Sequence, residues 1–249
     1  MSFKRPYVLT IAGFDPSNGA GLTADVKTVE KHRCYGLSVC TAITIQNDIE
    51  LQKCLWTKLE VIKSQINLLF DRFKINHVKI GIIENWIVLN SVIDLLLEKN
   101  PSVKIILDPI LTSSSNYDFH SDDAREFDEI LNKIYLLTPN YDEIFALYSD
   151  RDLEDTIAHI KSKTNLFLKG GHRSEKKGRD ELFTNTGKHF IFNPQAKNIS
   201  KKHGSGCVLS SSITSYLALD FPIVKACYKG KKYTERFLNS NKSLLGFHL

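Results

Sequence analysis

The chain has 249 residues, 42% of them hydrophobic, enough for one large core, and α/β folds of this size commonly form a single domain, here spanning 1–249. Its 33 lysines and arginines against 28 aspartates and glutamates leave a net charge of +5, which without a dense basic run falls short of a nucleic-acid signature. Five cysteines without a Cys-x-x-Cys pair, no apolar leader after Met1 and no membrane-length apolar stretch predict free thiols in a soluble, cytoplasmic protein.

Residues 7–12 form an apolar, partly β-branched run ending at Gly13, the pattern of a buried strand entering a loop. A helix is predicted from Gly21, because Leu22, Val26 and Val29 recur at helical spacing before Lys31, His32 and Arg33. A strand over 37–45 precedes a longer helix on which Leu59, Ile62, Ile66, Leu69, Phe70 and Phe73 share a face. The alternation repeats as strand 77–83, helix 86–97, strand 104–107, helix 123–130 and strand 135–137, with 166–169 continuing the sheet. Residues 181–184 and 189–192 flank a turn-prone Asn185-Thr186-Gly187-Lys188 and read as a hairpin at one end of it, and two helical patterns close the chain. Such alternation implies a parallel sheet covered by helices on both faces and joined by right-handed crossovers. The polar stretch 112–123 reads equally as a loop near a site or an ordinary surface connection, and Lys229-Gly230-Lys231-Lys232 reads as a solvated helix face.

Open parallel sheets bind ligands beyond the carboxyl ends of their strands, so polar residues there are the candidates. Gly13, Gly19 and Gly21 follow the first strand and admit close approach of backbone to a ligand, although the segment lacks a Walker ending and a dinucleotide fingerprint. Asp25, on the next helix, reads either as a ligand to something over the sheet or as an exposed helix carboxylate. Asp108 follows a strand directly and precedes Pro109, a position that suits metal or phosphate chemistry and equally a turn-initiating Asp-Pro. Asn140 and Glu143 share one face of a predicted helix start, where Asn140 can cap and the pair can face a hydrated Mg²⁺. The strongest local signal is His203-Gly204-Ser205-Gly206-Cys207 before a helical pattern, since a Gly-x-Gly turn at a helix start points backbone N–H groups at an anion such as a phosphoryl group. Cys207 in that field is expected to favour its thiolate, against the alternative of a buried structural thiol.

These segments together resemble the hydroxymethylpyrimidine/phosphomethylpyrimidine kinases of thiamin biosynthesis, over nearly the whole chain. The resemblance runs through Thr10 to Gly21, Ala24 to Thr28, Thr41 to Asn47, Val78-Lys79-Ile80-Gly81, Leu107-Asp108-Pro109-Ile110, Leu137 to Glu143, Leu168 to His172 and His203 to Cys207. It implies a ribokinase-like three-layer α/β/α sandwich with a mostly parallel central sheet and a small β-hairpin at one end. It also implies ATP and Mg²⁺ as cofactors, a small-molecule pyrimidine substrate, no nucleic-acid or membrane partner, and a homodimer. Gly13, Asp25, Gln46 and Ile110 match the substrate positions, with Lys169, Gly171 and Asn140 on the ATP side and Asp108 and Glu143 at the metal. Cys207 falls where related sugar kinases carry a catalytic aspartate, and Gly204, Ser205 and Gly206 are implied to stabilise the transferring phosphoryl group.

Phe14, Asn18, Ile82, Ser205 and Val208 depart from the residues usual at their positions, which bears on the pocket's shape. The same set admits a pyridoxal or pyridoxine kinase, or a non-catalytic relative that binds a pyrimidine or nucleotide. The basic stretch 198–202 is compatible with phosphate affinity or with a plain surface, and the tail 239–249 has no counterpart.

Overall fold

Parallel strands covered on both faces need apolar residues at successive positions, and the central strands of this chain have them. The computed structural model describes residues 5–111, 124–171, 173, 175–196 and 199–249, so the candidate loop 112–123 lies outside the described residues. The strands are β1 (Tyr7–Phe14), β2 (Tyr35–Gln46), β3 (Leu51–Trp56), β4 (His77–Ile80), β5 (Lys104–Leu107), β6 (Leu136–Leu137), β7 (Asn165–Leu168), β8 (Asp180–Phe183) and β9 (His189–Phe192). They form one sheet in the order β3-β2-β1-β4-β5-β6-β7-β8-β9. From β2 to β7 neighbouring strands run parallel, whereas β3 joins one edge and β8 and β9 the other in antiparallel register.

The helices are α1 (Gly21–Lys31), α2 (Leu59–Arg72), α3 (Trp86–Lys99), α4 (Ala124–Leu131), α5 (Tyr141–Leu147), α6 (Leu153–Lys163), α7 (Ser205–Ala218) and α8 (Ile223–Leu238). Side-chain alternation divides the core between the two faces. Ile105, Leu107, Leu137, Leu166 and Leu168 pack with residues of α2 to α6, whereas Ile106, Leu136 and Phe167 pack with Leu209, Ile213 and Cys227 of α7 and α8. Each core layer is thus written into the odd and even positions of the same short strands.

Two elements were not evident from the sequence. Strand β3 buries Cys54 alone, so its residues lack a clear apolar rhythm and owe their conformation to pairing with β2. Helix α6 buries only Thr156 and Ile160, and is started by Asp152, whose side chain accepts the Asp155 N–H at 2.8 Å. Strand β4 is also shorter than the predicted 77–83, leaving the sheet at Gly81, whose N–H bonds the Ile11 carbonyl.

Asp128 ties α4 to α6. Its carboxylate accepts from the Tyr148 hydroxyl, and lies 2.7 Å from His159 Nε2 and 3.0 Å from Lys163 Nζ. Burial pushes this carboxyl up, but the Tyr148, His159 and Lys163 contacts outweigh it and hold the group at about 2. A depressed carboxylate stabilises the fold above its unfolded value of about 3.9, and that contribution is lost as pH falls toward the folded value. The difference in urea midpoint between the native chain and Asp128→Asn is therefore expected to be largest near neutrality and to shrink between about pH 4 and pH 2.

Candidate active site

A cavity of about 570 Å³ opens along the carboxyl ends of the parallel strands. Gly13 at the end of β1, Gln46 at the end of β2, Ile110 after β5, Asn140 after β6 and Lys169 after β7 all reach its wall, as do Gly204, Ser205, Gly206 and Cys207. Gly171 and Glu143 also line it, so the structure brings the sequence candidates together except Asp25.

The start of α7 is held by backbone contact. Gly204 caps the helix with φ 72°, and a Cβ there would stand 2.0 Å from the Gly19 carbonyl oxygen. The close approach clamps the first glycine loop to the helix whose first-turn N–H groups lack intrahelical partners. Asp15 makes a second clamp: its buried carboxylate accepts from the N–H groups of Ser17 and Ala20, both at 2.8 Å, and lies 2.9 Å from His203 Nε2. Burial pushes Asp15 up, but the His203 and Ser17 contacts more than offset it and leave the carboxyl below its usual range. Within this loop Asn18 takes φ 59°, a left-handed conformation that asparagine tolerates better than most residues other than glycine.

On the opposite wall Lys169 stands between two carboxylates, 2.8 Å from Asp108 Oδ1 and 3.4 Å from Glu143 Oε2. Burial raises Asp108, but Lys169 and Lys79 outweigh it and hold the carboxyl low; burial dominates at Glu143, which stays high despite Lys169. Asn140 does cap α5: its side chain accepts from the Asp142 and Glu143 N–H groups, while Glu143 returns to the Asn140 N–H at 2.6 Å. Among the described residues no group of three or more His, Cys, Asp or Glu side chains could hold a metal ion. Mg²⁺ has another mode, in which one or two carboxylates share the ion with phosphates and water, and Asp108 and Glu143 are two carboxylates that line the cavity together. The Lys169 ammonium supplies the positive charge that both carboxylates face in the structure.

Two expectations need correction. Asp25 was expected to meet the substrate, but it is fully buried and off the cavity wall, and its oxygens accept from Thr10 Oγ1 at 2.5 Å, Ser211 Oγ at 2.6 Å and Lys79 Nζ at 2.8 Å. Of the two readings left open for Cys207, the favoured thiolate gives way to the buried thiol: burial raises it, and with Asp25 and Asp108 nearby it is pushed up to about 11 despite Lys79 and the Gly21 N–H. The helix start does not compensate for removal from water.

The basic stretches resolve unevenly. Lys231, read as part of a solvated face, is buried on the cavity wall, 2.9 Å from Asp180 Oδ2 and 2.6 Å from the Gly178 carbonyl. Lys202 is committed to the Asn241 carbonyl at 2.7 Å, and the tail returns to the site through the Leu244 carbonyl, which accepts the His203 N–H at 2.9 Å. Sequence reading also gave no role to Lys79, which lines the cavity; a lone lysine inside an apolar parallel strand was the available signal. Asp15 and His203 lay inside the glycine motifs without a role of their own, and Asp180 carried no comparable signal.

A sequence profile described as phosphomethylpyrimidine kinase matches residues 15–248. The chain belongs to this family. It is 33% identical to the hydroxymethylpyrimidine/phosphomethylpyrimidine kinase of Aquifex aeolicus, over 97% of this chain and 98% of that one. Against a Saccharomyces cerevisiae protein of the same description it is 32% identical over 93% of its length but spans 45% of the longer yeast chain, about half, as with two other yeast relatives. The crystal structure of phosphomethylpyrimidine kinase from Clostridium difficile 630 superposes with TM-score 0.78 at 29% identity, covering 92% of this chain and 98% of that one. Pyridoxal kinase of Staphylococcus aureus in complex with ADP superposes with TM-score 0.85 at 21% identity, over 98% of this chain and 94% of that one, a likeness of fold. The expected ribokinase-like architecture is thereby observed.

Replacing Gly204 by alanine forces a methyl group into the Gly19 backbone at a left-handed position, and is expected to cost about 1–3 kcal/mol in urea unfolding. Gly171→Ala, whose methyl meets nothing within 4 Å, is expected to stay within about 0.5 kcal/mol of the native chain.

Proposed function

We propose that the chain transfers the γ-phosphoryl group of ATP to the hydroxymethyl oxygen of 4-amino-5-hydroxymethyl-2-methylpyrimidine, and then to the resulting monophosphate, in thiamin biosynthesis. The observation that carries this reading is the position of α7's first turn, which touches Gly19 on one side and has Gly206 beside Lys169 Nζ on the other. The pyrimidine belongs at the Gly13, Gln46 and Ile110 end, where the amide of Gln46 supplies both a donor and an acceptor to an aminopyrimidine edge. ATP belongs at the end lined by Lys169 and Gly171, its γ-phosphoryl facing Gly204, Ser205 and Gly206. Asp108 and Glu143 would hold Mg²⁺, which supplies charge neutralisation on the phosphates when bound.

In the first transfer the substrate oxygen gives its proton to Cys207 Sγ as its bond to phosphorus forms, and ADP leaves with the electrons of the broken P–O bond. The acceptor is the thiolate, which a thiol near 11 supplies sparingly in the free chain. The backbone N–H groups at the head of α7 are placed to stabilise charge on the transferring group. The reading extends to a cytoplasmic homodimer, in keeping with five free cysteines and an exposed apolar row of Phe14, Ile43 and Leu55, register neighbours across β1, β2 and β3. Among the described residues no helix is long and apolar enough to cross a membrane.

Incubation with ATP, Mg²⁺ and the hydroxymethylpyrimidine is expected to release ADP and give mono- and diphosphate products by mass spectrometry. Turnover of pyridoxal in preference to the pyrimidine would overturn the substrate, and no turnover of either would overturn the kinase reading. Because kcat/KM reports the free enzyme's base, it is expected to rise about tenfold per pH unit below about pH 9, and Cys207→Ala to lower kcat by about 10²- to 10⁴-fold and abolish that rise.

A further inference from the structure

Lys79 is a wholly buried lysine on β4 that is nonetheless among the residues lining the cavity. A methyl group at Gly81 would stand 2.9 Å from its Nζ, so the glycine leaves the ammonium room at the strand's exit. The ammonium lies 2.8 Å from Asp25 Oδ2, while Asp25 Oδ1 accepts from Ser211 Oγ at 2.6 Å. Ser211 is four residues beyond Cys207 on α7, so the two share a helix face, and the ion pair is pinned against the face that carries the thiol. A buried ion pair is a poor source of stability compared with apolar packing, which directs attention to what its charges face.

Charges reach Cys207 from four elements: Lys79 from β4, Asp25 from α1, Asp108 from the end of β5 and Lys169 from the end of β7. We propose that Lys79 is a positioning residue for phosphoryl transfer, its ammonium serving as counter-charge to the Cys207 thiolate, with Asp25 setting how much of that charge the sulfur receives. The inference rests on the reading of Cys207 as base and gives Asp25 a role one layer beneath the substrate. Its electrostatics agree in direction: after burial, Lys79 is the leading charge that lowers the thiol, and Asp25 the leading charge that raises it. With Asp25 neutralised, the thiolate becomes a nearby anionic partner available to the buried ammonium.

The test measures alkylation of Cys207 by iodoacetamide in the full chain, followed by peptide mass spectrometry across pH, with buried Cys34, Cys54 and Cys227 as internal references. Asp25→Asn is expected to speed Cys207 alkylation roughly tenfold at about pH 7.5 and move its pH profile down by about one unit. Lys79→Met is expected to slow it below the native rate, and in Lys79→Met/Asp25→Asn the gain of the single Asn variant disappears. If one single variant fails to fold, the neutral double variant is compared with the other. Opposite signs for the two charges support the proposal, because general loosening would speed alkylation in both; any other pattern overturns it. ADP release by the native chain separates the two readings: turnover without the opposed responses removes only this inference, whereas no turnover removes the kinase reading and leaves the ion pair's effect on the thiol measured.

Discussion

Two buried ion pairs, Lys79–Asp25 and Lys169–Asp108, stand against the head of α7, and the geometry of the cavity depends on them. Consecutive helix residues connect to them: Ser211 Oγ donates to Asp25 and Ser210 Oγ to Asp108 at 3.0 Å. Taking four charges out of water costs several kcal/mol per ion, and the cost is offset only where each oxygen and ammonium finds good partners. Here both carboxylates find several donors, and the helix start is thereby tied to the ends of β4, β5 and β7 through hydrogen bonds.

That fixation explains the division of labour in the cavity. The glycine loop after β1 meets α7 through the Gly204 contact and the Asp15–His203 link, which join that wall of the cavity to the helix head. The Lys169 side is joined through Asp108, Ser210 and Glu143. A phosphoryl group passing between two ligands needs both held to a fraction of an ångström, and rigid elements meeting at one helix terminus meet that need better than a loop.

The same packing explains the two reversals at the site. A helix terminus lowers a thiol pKa when water or cations share the burden of the charge, but Cys207 is buried with two carboxylates nearby. Asp25 carries a family motif position, and from sequence spacing it could face either the ligand or the layer below. Three donors, one of them nearly two hundred residues away at Ser211, decided for the layer below.

The order of strands and helices was legible because apolar periodicity is a local property of the chain, and the glycine turns at 13–21 and 203–207 were legible because few other residues permit such backbone. Edge strand β3 and helix α6 were not, since each buries too few side chains to leave a rhythm and is stabilised by its neighbours. The sequence by itself determined the α/β class, the strand ends where the chemistry belongs and a set of candidates all of which but Asp25 line the cavity. Only the tertiary structure decided which charges face one another: Lys79 with Asp25, Lys169 with Asp108 and Glu143, and Lys231 with Asp180. Pairing across 54 or 61 residues is set by strand order and burial, and a buried charge shows its function only through the partner that burial forces upon it.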